Sequence, residues 1–198
     1  MEAVGRPLED DAAQAAGGGR CGYQGAPGAF SHEACMDLRP WDEAVPYDSF
    51  EAAISALKSG EVGCALIPVE NTTVGRVEPA ASLVEAAGLT VVSEVWRPIR
   101  LALMAPAGAS LRTVKTAESH PAALRQCPES LSALGITPVE AFDTAGAARS
   151  VAEAGDVSRA AVAPVRAAEV YGLSILRNDI QDSEDNRTRF VLLSAPTG

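Results

Sequence analysis

Thr188, Arg189 and Phe190 place a hydroxyl, a guanidinium and an aromatic ring side by side near the end of the chain. The apolar run 191–193 follows them directly, and this order is typical of a strand that delivers polar groups to the rim of a cleft. A hydroxyl and a cation at such a rim are suited to a small anionic molecule. The stretch therefore predicts a small-molecule site. Phe190 has two possible interpretations, because a ring beside an apolar strand either lines a pocket or packs in the core.

A second polar group, Glu70 to Arg76, follows the apolar run Val62 to Ile67, which reads as a buried strand. An acid, an amide and two hydroxyls therefore cluster at the carboxyl end of a strand, where open α/β sheets bind ligands. Thr72 and Thr73 have the alternative of capping a following helix. Arg76 is equally open to anchoring an anionic ligand and to an ordinary surface ion pair.

The turn 25–28 precedes a predicted helix from Phe30 to Leu38. Ala29 and Ser31 would then present backbone N–H groups at a helix N-terminus, which attracts carboxylate or phosphate. The Gly-x-x-Gly spacing of the turn is more often only a turn, so it does not establish a site by itself.

Two more helix starts carry hydroxyl groups. Ser119 reads as an N-cap with Pro121 in the first turn, and Asp143 with Thr144 caps a later helix. His120 is assigned no chemistry, because a histidine beside a cap is usually packed or solvated and the chain has only 2 histidines.

Stretches typical of strands and helices alternate from Cys21 onward, which predicts an α/β fold with largely parallel strands. Pro98 interrupts a long β-rich stretch, and we place the passage into a second lobe there. A polar loop at 178–182 would carry the chain back. The prediction is a disordered lead-in over residues 1–20, a first lobe over 21–97 and 178–198, and a second lobe over 98–177.

Composition excludes several classes of function. The chain has 198 residues, 47% of them apolar, and a formal charge of −10, so it is globular and repels nucleic acid and anionic membranes. No run approaches the roughly 18 apolar residues of a membrane span, and the acidic start lacks the order of a signal peptide. The 4 cysteines show no metal-binding spacing, so we expect buried thiols, a cytoplasmic location, no metal and no cofactor.

Several blocks, in order, are similar to the prephenate dehydratase family, whose plant members use arogenate. The resemblance runs from Cys21 to Ser194 and is far more specific than any one motif. The blocks are Gly22-Tyr23-Gln24-Gly25-Ala26-Pro27-Gly28-Ala29-Phe30-Ser31, Ile67-Pro68-Val69-Glu70-Asn71-Thr72, Glu118-Ser119-His120-Pro121-Ala122-Ala123-Leu124-Arg125-Gln126-Cys127, Asp143-Thr144-Ala145, Ala167-Ala168-Glu169-Val170-Tyr171-Gly172-Leu173, and Ile180-Gln181-Asp182 through Asn186-Arg187-Thr188-Arg189-Phe190.

The resemblance implies two α/β lobes, like a type II periplasmic binding protein, with the substrate in the cleft between them. It implies that prephenate loses carbon dioxide and water to give phenylpyruvate in phenylalanine biosynthesis, without a cofactor. The implied catalytic residues are Thr188, Glu70, Asn71, Ser119 and Gln126. The candidate substrate-binding residues are Ala29, Phe30, Ser31, Thr72, Arg76, Thr144, Arg189 and Phe190.

The chemistry fits Thr188 as a hydrogen-bond donor. Hydroxide is a poor leaving group unless a proton or a strong hydrogen bond reaches it, an effect typically worth about 10²- to 10⁴-fold. A threonine hydroxyl is too weak an acid to give up its proton outright near neutral pH. We therefore expect Thr188 to donate a hydrogen bond while the proton comes from a neighbour or water, and Arg76 and Arg189 to anchor the two carboxylates of the substrate.

The chain departs from the family pattern in places. Thr72 stands where serine is usual, Pro164 replaces a familiar serine, and 77–83 lacks a threonine and an aspartate often found there. These changes leave prephenate and arogenate as alternative substrates. The chain ends at Gly198, before the phenylalanine-binding domain of many members, so we expect no feedback inhibition by that route.

Two other functions stay open. A non-aromatising prephenate decarboxylase is disfavoured by Thr188, and a non-catalytic binding module is compatible with a two-lobed fold. The expected partner is a small-molecule substrate, and a homodimer is the default assembly.

Overall fold

The structure, a computed structural model, describes residues 19–196 in two compact α/β units. The first comprises 19–25, 31–98 and 186–196, and the second comprises Ala26–Phe30 and Ile99–Asp185. The α/β class is thereby confirmed. The predicted lead-in, 1–20, lies outside the described residues except for Gly19 and Arg20, and Arg20 begins the first strand.

In chain order the elements are β1 (Arg20–Gln24), α1 (Phe30–Leu38), β2 (Glu43–Tyr47), α2 (Phe50–Ser59), β3 (Cys64–Asn71), β4 (Gly75–Arg76), α3 (Ala80–Ala86), β5 (Thr90–Pro98), β6 (Ala102–Ala105), β7 (Thr116–Ser119), α4 (Pro121–Leu124), α5 (Pro128–Ala133), β8 (Thr137–Glu140), α6 (Thr144–Ala154), β9 (Arg159–Ala163), α7 (Val165–Tyr171), β10 (Ser174–Arg177) and β11 (Arg187–Ser194).

Both sheets are mixed, so the expectation of largely parallel strands is wrong. The first sheet has the order β2-β1-β3-β11-β5 with β4 beside β3, and the second has the order β10-β6-β9-β7-β8. Strands joined by helices run parallel, as in β1 with β2 and β7 with β8. β11, by contrast, is antiparallel to both β3 and β5.

Caps fix the helices next to the strands. The Ser49 side chain accepts a hydrogen bond from Ala52 N, and Gly60 ends α2 in the left-handed conformation at φ 78°. That conformation favours glycine, which has no Cβ to clash. In the second unit, Asp143 Oδ1 accepts from Gly146 N at 2.5 Å and starts α6. Both helix starts agree with their sequence predictions.

The strand β11 separates two hydrophobic clusters. Val191 and Leu193 pack with α2 and α3, whereas Phe190 and Leu192 pack with Tyr23 on the face covered by α1. This alternation follows from the period of two in a strand. Phe190 is 2% exposed, so the core interpretation of its ring is the one that the structure supports.

The second unit extends further along the sequence than predicted. Ile180 is fully buried in its core, and Gln181 Oε1 accepts a hydrogen bond from Leu101 N at 2.8 Å. The Asp182 carboxylate accepts from Glu129 N and Ser130 N at 2.9 and 3.0 Å, which caps α5. The return to the first unit therefore lies at Asn186 and not at residue 178.

Among residues 19–196, no helix combines the length and the apolar character that a bilayer crossing demands.

Candidate active site

Thr188 and Asn71 meet across the β3–β11 ladder, where they are direct register partners. Asn71 Nδ2 donates to Thr188 Oγ1 at 2.9 Å and to Asn186 Oδ1 at 2.7 Å. Thr188 and Asn186 are each 7% exposed, so the interactions are largely removed from water. Strand pairing thus joins two sequence blocks that lie more than 100 positions apart into one neutral polar network.

The orientation of the Asn71 amide is defined on both sides. Its Oδ1 accepts from Thr73 N at 2.9 Å and from Val74 N at 3.1 Å, and its nitrogen supplies the two donors described above. An amide has two donor hydrogens and two acceptor lone pairs, so these contacts use its capacity. Asn71 therefore donates to an oxygen lone pair of Thr188, and this bond does not consume the Thr188 hydroxyl hydrogen.

Thr72 forms hydrogen bonds with the backbone of Arg187 next to this network. Thr72 N donates to Arg187 O and Arg187 N donates to Thr72 Oγ1, both at 2.9 Å. The β-strand continues through Asn71 because it pairs with β11, beyond the predicted end at Ile67. The alternative of Thr72 or Thr73 as a helix cap is wrong, since α3 begins only after Pro79.

Arg189 points to the other face of β11, because successive side chains of a strand alternate. Its guanidinium lies 3.0–3.1 Å from Glu70 Oε2 and 2.7 Å from Glu94 Oε2. The hydrogen bond to Glu94 raises the pKa of Arg189 above its ordinary value, and Glu70 adds to this against the opposing effect of burial. Glu70 and Arg189 are thus partners of each other on the face opposite Thr188.

Arg76 also pairs with carboxylates. It contacts Glu78, and its two terminal nitrogens bind both oxygens of Glu85 at 2.7 and 2.8 Å. A cavity of about 390 Å³ lies between the Arg76 and Arg189 clusters, with an aliphatic floor that includes Val69 and Val191. Three glutamates and two arginines line this cavity, so its charge balance does not favour a dianionic ligand.

Ser119 is the last residue of β7 and is fully buried. Its hydroxyl donates to Val162 O at 2.7 Å and lies 3.4 Å from Thr144 Oγ1. The prediction that Ser119 caps a helix is wrong: the cap is His120, whose Nδ1 accepts from Ala122 N at 3.1 Å. Because the Ser119 hydroxyl is fully buried and its proton is used by a carbonyl, it does not face a ligand in this structure.

The remaining predicted residues have structural contacts. Gln126 Nε2 donates to Ala122 O at 3.0 Å, and Ala29 N donates to Ala26 O at 3.1 Å within the predicted turn. The Ala29 N–H therefore does not face a ligand freely. Phe30 packs against the core of the second unit, and Ser31 is 8% exposed.

Asn186 belongs to the Thr188 block, but the sequence motifs assign it no role of its own. It precedes Thr188 by two positions, and a spacing of two in an extended chain places side chains on one face. The same rule separates Arg189 from Thr188. Strand periodicity within the block is thus the signal that could have found both assignments.

Cys21 and Cys127 have no access to thiolate chemistry near neutral pH. All four cysteines are free and buried. Hydrogen bonding to Cys35 and Cys64, together with burial, raises the pKa of Cys21 far above its usual range. Burial, with the nearby charge of Asp182, raises the pKa of Cys127 to about 12. Cys21 and Cys127 are therefore protonated thiols, which are poor nucleophiles.

Comparison with known proteins adds a family match. The family model described as prephenate dehydratase matches residues 21–197. Arogenate dehydratase/prephenate dehydratase 1 of Arabidopsis thaliana, a chloroplastic protein, is 41% identical over 88% of this chain and 45% of its own length. The bifunctional N-acyl-homoserine lactone acylase/prephenate dehydratase of Komagataeibacter europaeus is 38% identical over 87% of this chain and 61% of its own length.

A solved structure agrees with these relatives. Prephenate dehydratase from Arthrobacter aurescens, in complex with L-Phe, has a TM-score of 0.78 at 28% identity, and the match covers 90% of this chain and 61% of that one. The chain therefore spans between 45% and 61% of the length of these three proteins.

Proposed function

Because the chain belongs to the prephenate dehydratase family, we propose that it catalyses the decarboxylation and dehydration of prephenate to phenylpyruvate. The observation that carries the proposal is the 2.9 Å hydrogen bond from Asn71 Nδ2 to Thr188 Oγ1. It holds a nearly buried hydroxyl through its oxygen and leaves the hydrogen of that hydroxyl for an external acceptor. A ring hydroxyl that departs as hydroxide is such an acceptor.

The reaction balances without a redox partner. The ring carboxylate of prephenate leaves as carbon dioxide, and the electron pair of the broken C–C bond becomes part of the ring. The C–O bond to the ring hydroxyl breaks at the same time, so the ring becomes aromatic. Thr188 donates a hydrogen bond to the departing oxygen, and one net proton, taken up from the solution directly or through a neighbouring group, converts the departing hydroxide into water. The transition state needs this donor more than the ground state does, because charge develops on the oxygen only as the bond breaks.

Asn71 is a positioning residue in this proposal. Its amide donates to Thr188 and to Asn186, so it fixes the rotamer of the hydroxyl and favours a hydroxyl hydrogen that points away from β3. A hydroxyl that already accepts a hydrogen bond is also a somewhat better donor, because bonded chains polarise one another.

Glu70, Arg76 and Arg189 receive a structural role in this proposal. Both arginines are paired with carboxylates, and Arg189 shares the strand of Thr188 but faces the other way. An arginine that must leave two glutamates to bind a substrate carboxylate would expose two unpaired charges. We therefore propose that these residues stabilise one face of the first sheet and do not anchor the substrate.

Arogenate is the second candidate substrate, because the name of the Arabidopsis relative includes both activities. The two substrates differ in an amino group and a keto group on the side chain, away from the ring carbon that loses the hydroxyl. The same Thr188 chemistry therefore serves both. The dehydratase activity is common to the names of the three proteins compared above, whereas the name of one of them also includes an acylase activity, so we propose the former.

The direct test is incubation of the protein with prephenate and, separately, with arogenate, followed by identification of the product by proton NMR. We expect phenylpyruvate from prephenate or phenylalanine from arogenate, at a rate above the spontaneous reaction. A non-aromatic product with carbon dioxide release would establish the decarboxylase alternative. No turnover of either compound by a folded protein would contradict the proposed function.

We also propose a cytoplasmic location and a homodimer. Four buried free thiols support a reducing compartment, although the Arabidopsis relative is named as chloroplastic. Closed two-fold symmetry is the commonest form of soluble oligomer. Cell fractionation tests the first statement, and sedimentation velocity over a range of concentrations tests the second.

A further inference from the structure

Three of the four cysteines of the chain form one thiol cluster in the first unit. Cys21 lies on β1, Cys35 lies on α1 and Cys64 is the first residue of β3, and all three belong to the same hydrophobic cluster. Cys127, the fourth, lies alone in the core of the second unit. The proposed dehydration uses none of these thiols, so their proximity calls for a separate explanation.

Cys21 and Cys64 are direct register partners on neighbouring parallel strands. Neighbouring strands lie about 4.7–4.9 Å apart, which falls within the range of about 4.4–6.8 Å that separates the Cα atoms of a disulfide. The Cys21 thiol is hydrogen-bonded to the side chains of Cys35 and Cys64. The sulfur atoms of Cys21 and Cys64 therefore approach each other on one face of the sheet, without any change in strand pairing.

A buried ion pair lies beside Cys64. Its Sγ is 3.7 Å from Asp42 Oδ2, and the same oxygen accepts a hydrogen bond from Arg39 Nε at 2.7 Å. The hydrogen bond from Cys21 lowers the pKa of Cys64 below its ordinary value. The charge of Arg39 adds to this effect, whereas burial and Asp42 oppose it. Cys64 therefore becomes a thiolate more readily than Cys21, and a thiolate is the reactive form of cysteine.

The thiol cluster comes nearest to the surface at Cys64. This residue is 7% exposed, whereas Cys21 and Cys35 are at 0% and 1%. Its neighbour Gly63 is exposed, and Cys64 Sγ lies 4.0 Å from the backbone oxygen of Arg20, which is also exposed. A small oxidant that enters from this side meets Cys64 first.

We propose that Cys64 and Cys21 form a reversible redox pair, in which hydrogen peroxide oxidises Cys64 and Cys21 then closes a disulfide between β3 and β1. The Cys64 thiolate attacks one peroxide oxygen and the O–O bond breaks. The departing hydroxide takes up a proton to become water, and Cys64 is left as a sulfenic acid.

The second step forms the S–S bond. The sulfur of Cys21 attacks the sulfur of Cys64, the S–O bond breaks, and the Cys21 proton leaves with the oxygen as a second molecule of water. No free thiolate of Cys21 is needed, because its proton passes to the leaving oxygen. The two thiols together lose two electrons, and the peroxide is reduced to two molecules of water.

Cys21 protects Cys64 in this proposal. A sulfenic acid without a neighbouring thiol is oxidised further to sulfinic acid, which is irreversible in most proteins, whereas a disulfide is reduced again by thiols. The pair lies away from the hydrogen bonds of Thr188, since Cys64 and Asn71 are the first and last residues of β3. The inference therefore does not depend on the proposed dehydratase activity.

The test is peptide mapping by mass spectrometry after the folded wild type is treated with hydrogen peroxide and its remaining thiols are alkylated. We expect a disulfide between the peptides of Cys21 and Cys64 that dithiothreitol removes. Cys64 should be oxidised at least about tenfold faster than Cys127, because burial raises the pKa of Cys127 to about 12 and keeps it a thiol. Cys127 thus serves as an internal control in the same protein.

The Cys35→Ala variant assigns the partner of Cys64. Trypsin leaves Cys21 and Cys35 in one peptide, because Arg39 precedes a proline, and Cys64 and Cys127 lie in two others. The disulfide should form in Cys35→Ala as in the wild type. Its loss in that variant, or a link between Cys35 and Cys64, would overturn the proposal.

Cys21→Ala separates the two steps. Without Cys21, Cys64 should accumulate as a sulfenic acid that dimedone traps, and then as a sulfinic acid that dithiothreitol does not reverse. A melting curve of each variant confirms that it is folded under the assay conditions. If all four thiols of the wild type stay open to alkylation, or if the disulfide joins two chains on a non-reducing gel, the inference is wrong. Mass is the readout throughout, so a failure of the dehydratase assay leaves this test unaffected.

Discussion

The two faces of the β3–β11 ladder carry polar networks of different character. On one face, Asn71, Asn186 and Thr188 form a neutral set of amide and hydroxyl groups that is largely buried. On the other face, Arg189 is held between Glu70 and Glu94, and all three side chains are at least 30% exposed. Two neighbouring residues of one strand, Thr188 and Arg189, thus belong to chemically separate environments.

The difference shows why a charge is not automatically the functional group. The arginine has its hydrogen-bonding capacity directed to carboxylates of the same unit, so its charge is already balanced. The hydroxyl accepts one hydrogen bond from Asn71 and keeps its hydrogen, in a place from which water is largely excluded. A donor of that kind is stronger in a low-dielectric site than at the surface. The neutral face is therefore better suited to assist a leaving group.

The largest effect is expected for Thr188→Ala. Loss of the donor should reduce kcat by about 10²- to 10⁴-fold with little change in KM, because the bond acts mainly in the transition state. Phenylpyruvate formation from prephenate measures it. Ser194→Ala is a control on the same strand, since the Ser194 hydroxyl donates to the neighbouring Ala195 O. If Thr188→Ala keeps the kcat of the wild type, the neutral face has no special role.

Asn71→Asp should give the next largest effect. The substitution keeps an oxygen for Thr73 N and Val74 N but removes the donors to Asn186 and Thr188. Leaving buried acceptors unpaired costs about 1–3 kcal/mol of stability, and we expect kcat to fall by about 10- to 100-fold as the hydroxyl loses its orientation.

The pH dependence of kcat in Asn71→Asp tests whether the lost hydrogen-bond donor causes the decrease in kcat. A protonated aspartate regains one donor, so the deficit in kcat relative to the wild type should shrink as the pH is lowered. Melting temperatures recorded at the same pH values separate catalysis from unfolding. A deficit that does not depend on pH would argue that Asn71 supports only the turn at 72–74.

Arg189→Gln tests the charged face and should be mild. Its partners Glu70 and Glu94 are half exposed, so the pairs are worth about 0.2–1 kcal/mol. We expect a small decrease in the free energy of unfolding measured with urea and a KM within about threefold of the wild type. A rise in KM of tenfold or more would restore Arg189 as a substrate anchor and abolish the distinction between the two faces.

The smallest effect concerns the Arg76 cluster. Hydrogen bonding to Arg76 lowers the pKa of Glu78 and of Glu85 below their ordinary values. A carboxyl with a lowered folded pKa stabilises the fold above its unfolded pKa, about 4.3, and this contribution disappears as the pH falls through the folded pKa. Arg76→Gln should therefore lower the melting temperature slightly at pH 6, and this decrease should shrink as the pH falls. A decrease that does not depend on pH would contradict this origin, and added salt should reduce the decrease at pH 6.

Local patterns predicted the parts of the fold that depend on local chemistry. Ser49 and Asp143 were recognisable as caps because a short polar side chain before an apolar helix has few other uses. Phe30 to Leu38 and Phe50 to Ser59 agree with the observed helices. The direction of β11 and the return of the chain at Asn186 were not predictable in this way, because both depend on pairing between distant segments.

The same distinction between local and long-range information applies to the candidate site. The sequence by itself determined that a hydroxyl, an amide and several charged groups stand near strand ends, and through its ordered blocks it determined the family. Only the tertiary structure decided which of them meet: antiparallel pairing places Asn71 beside Thr188, and the alternation of side chains turns Arg189 towards Glu70 and Glu94. The physical reason is that residue type is a local property. The register of the strands, and the face of the sheet on which each side chain lies, are set by hydrogen bonds between strands and by the burial of both faces of the sheet.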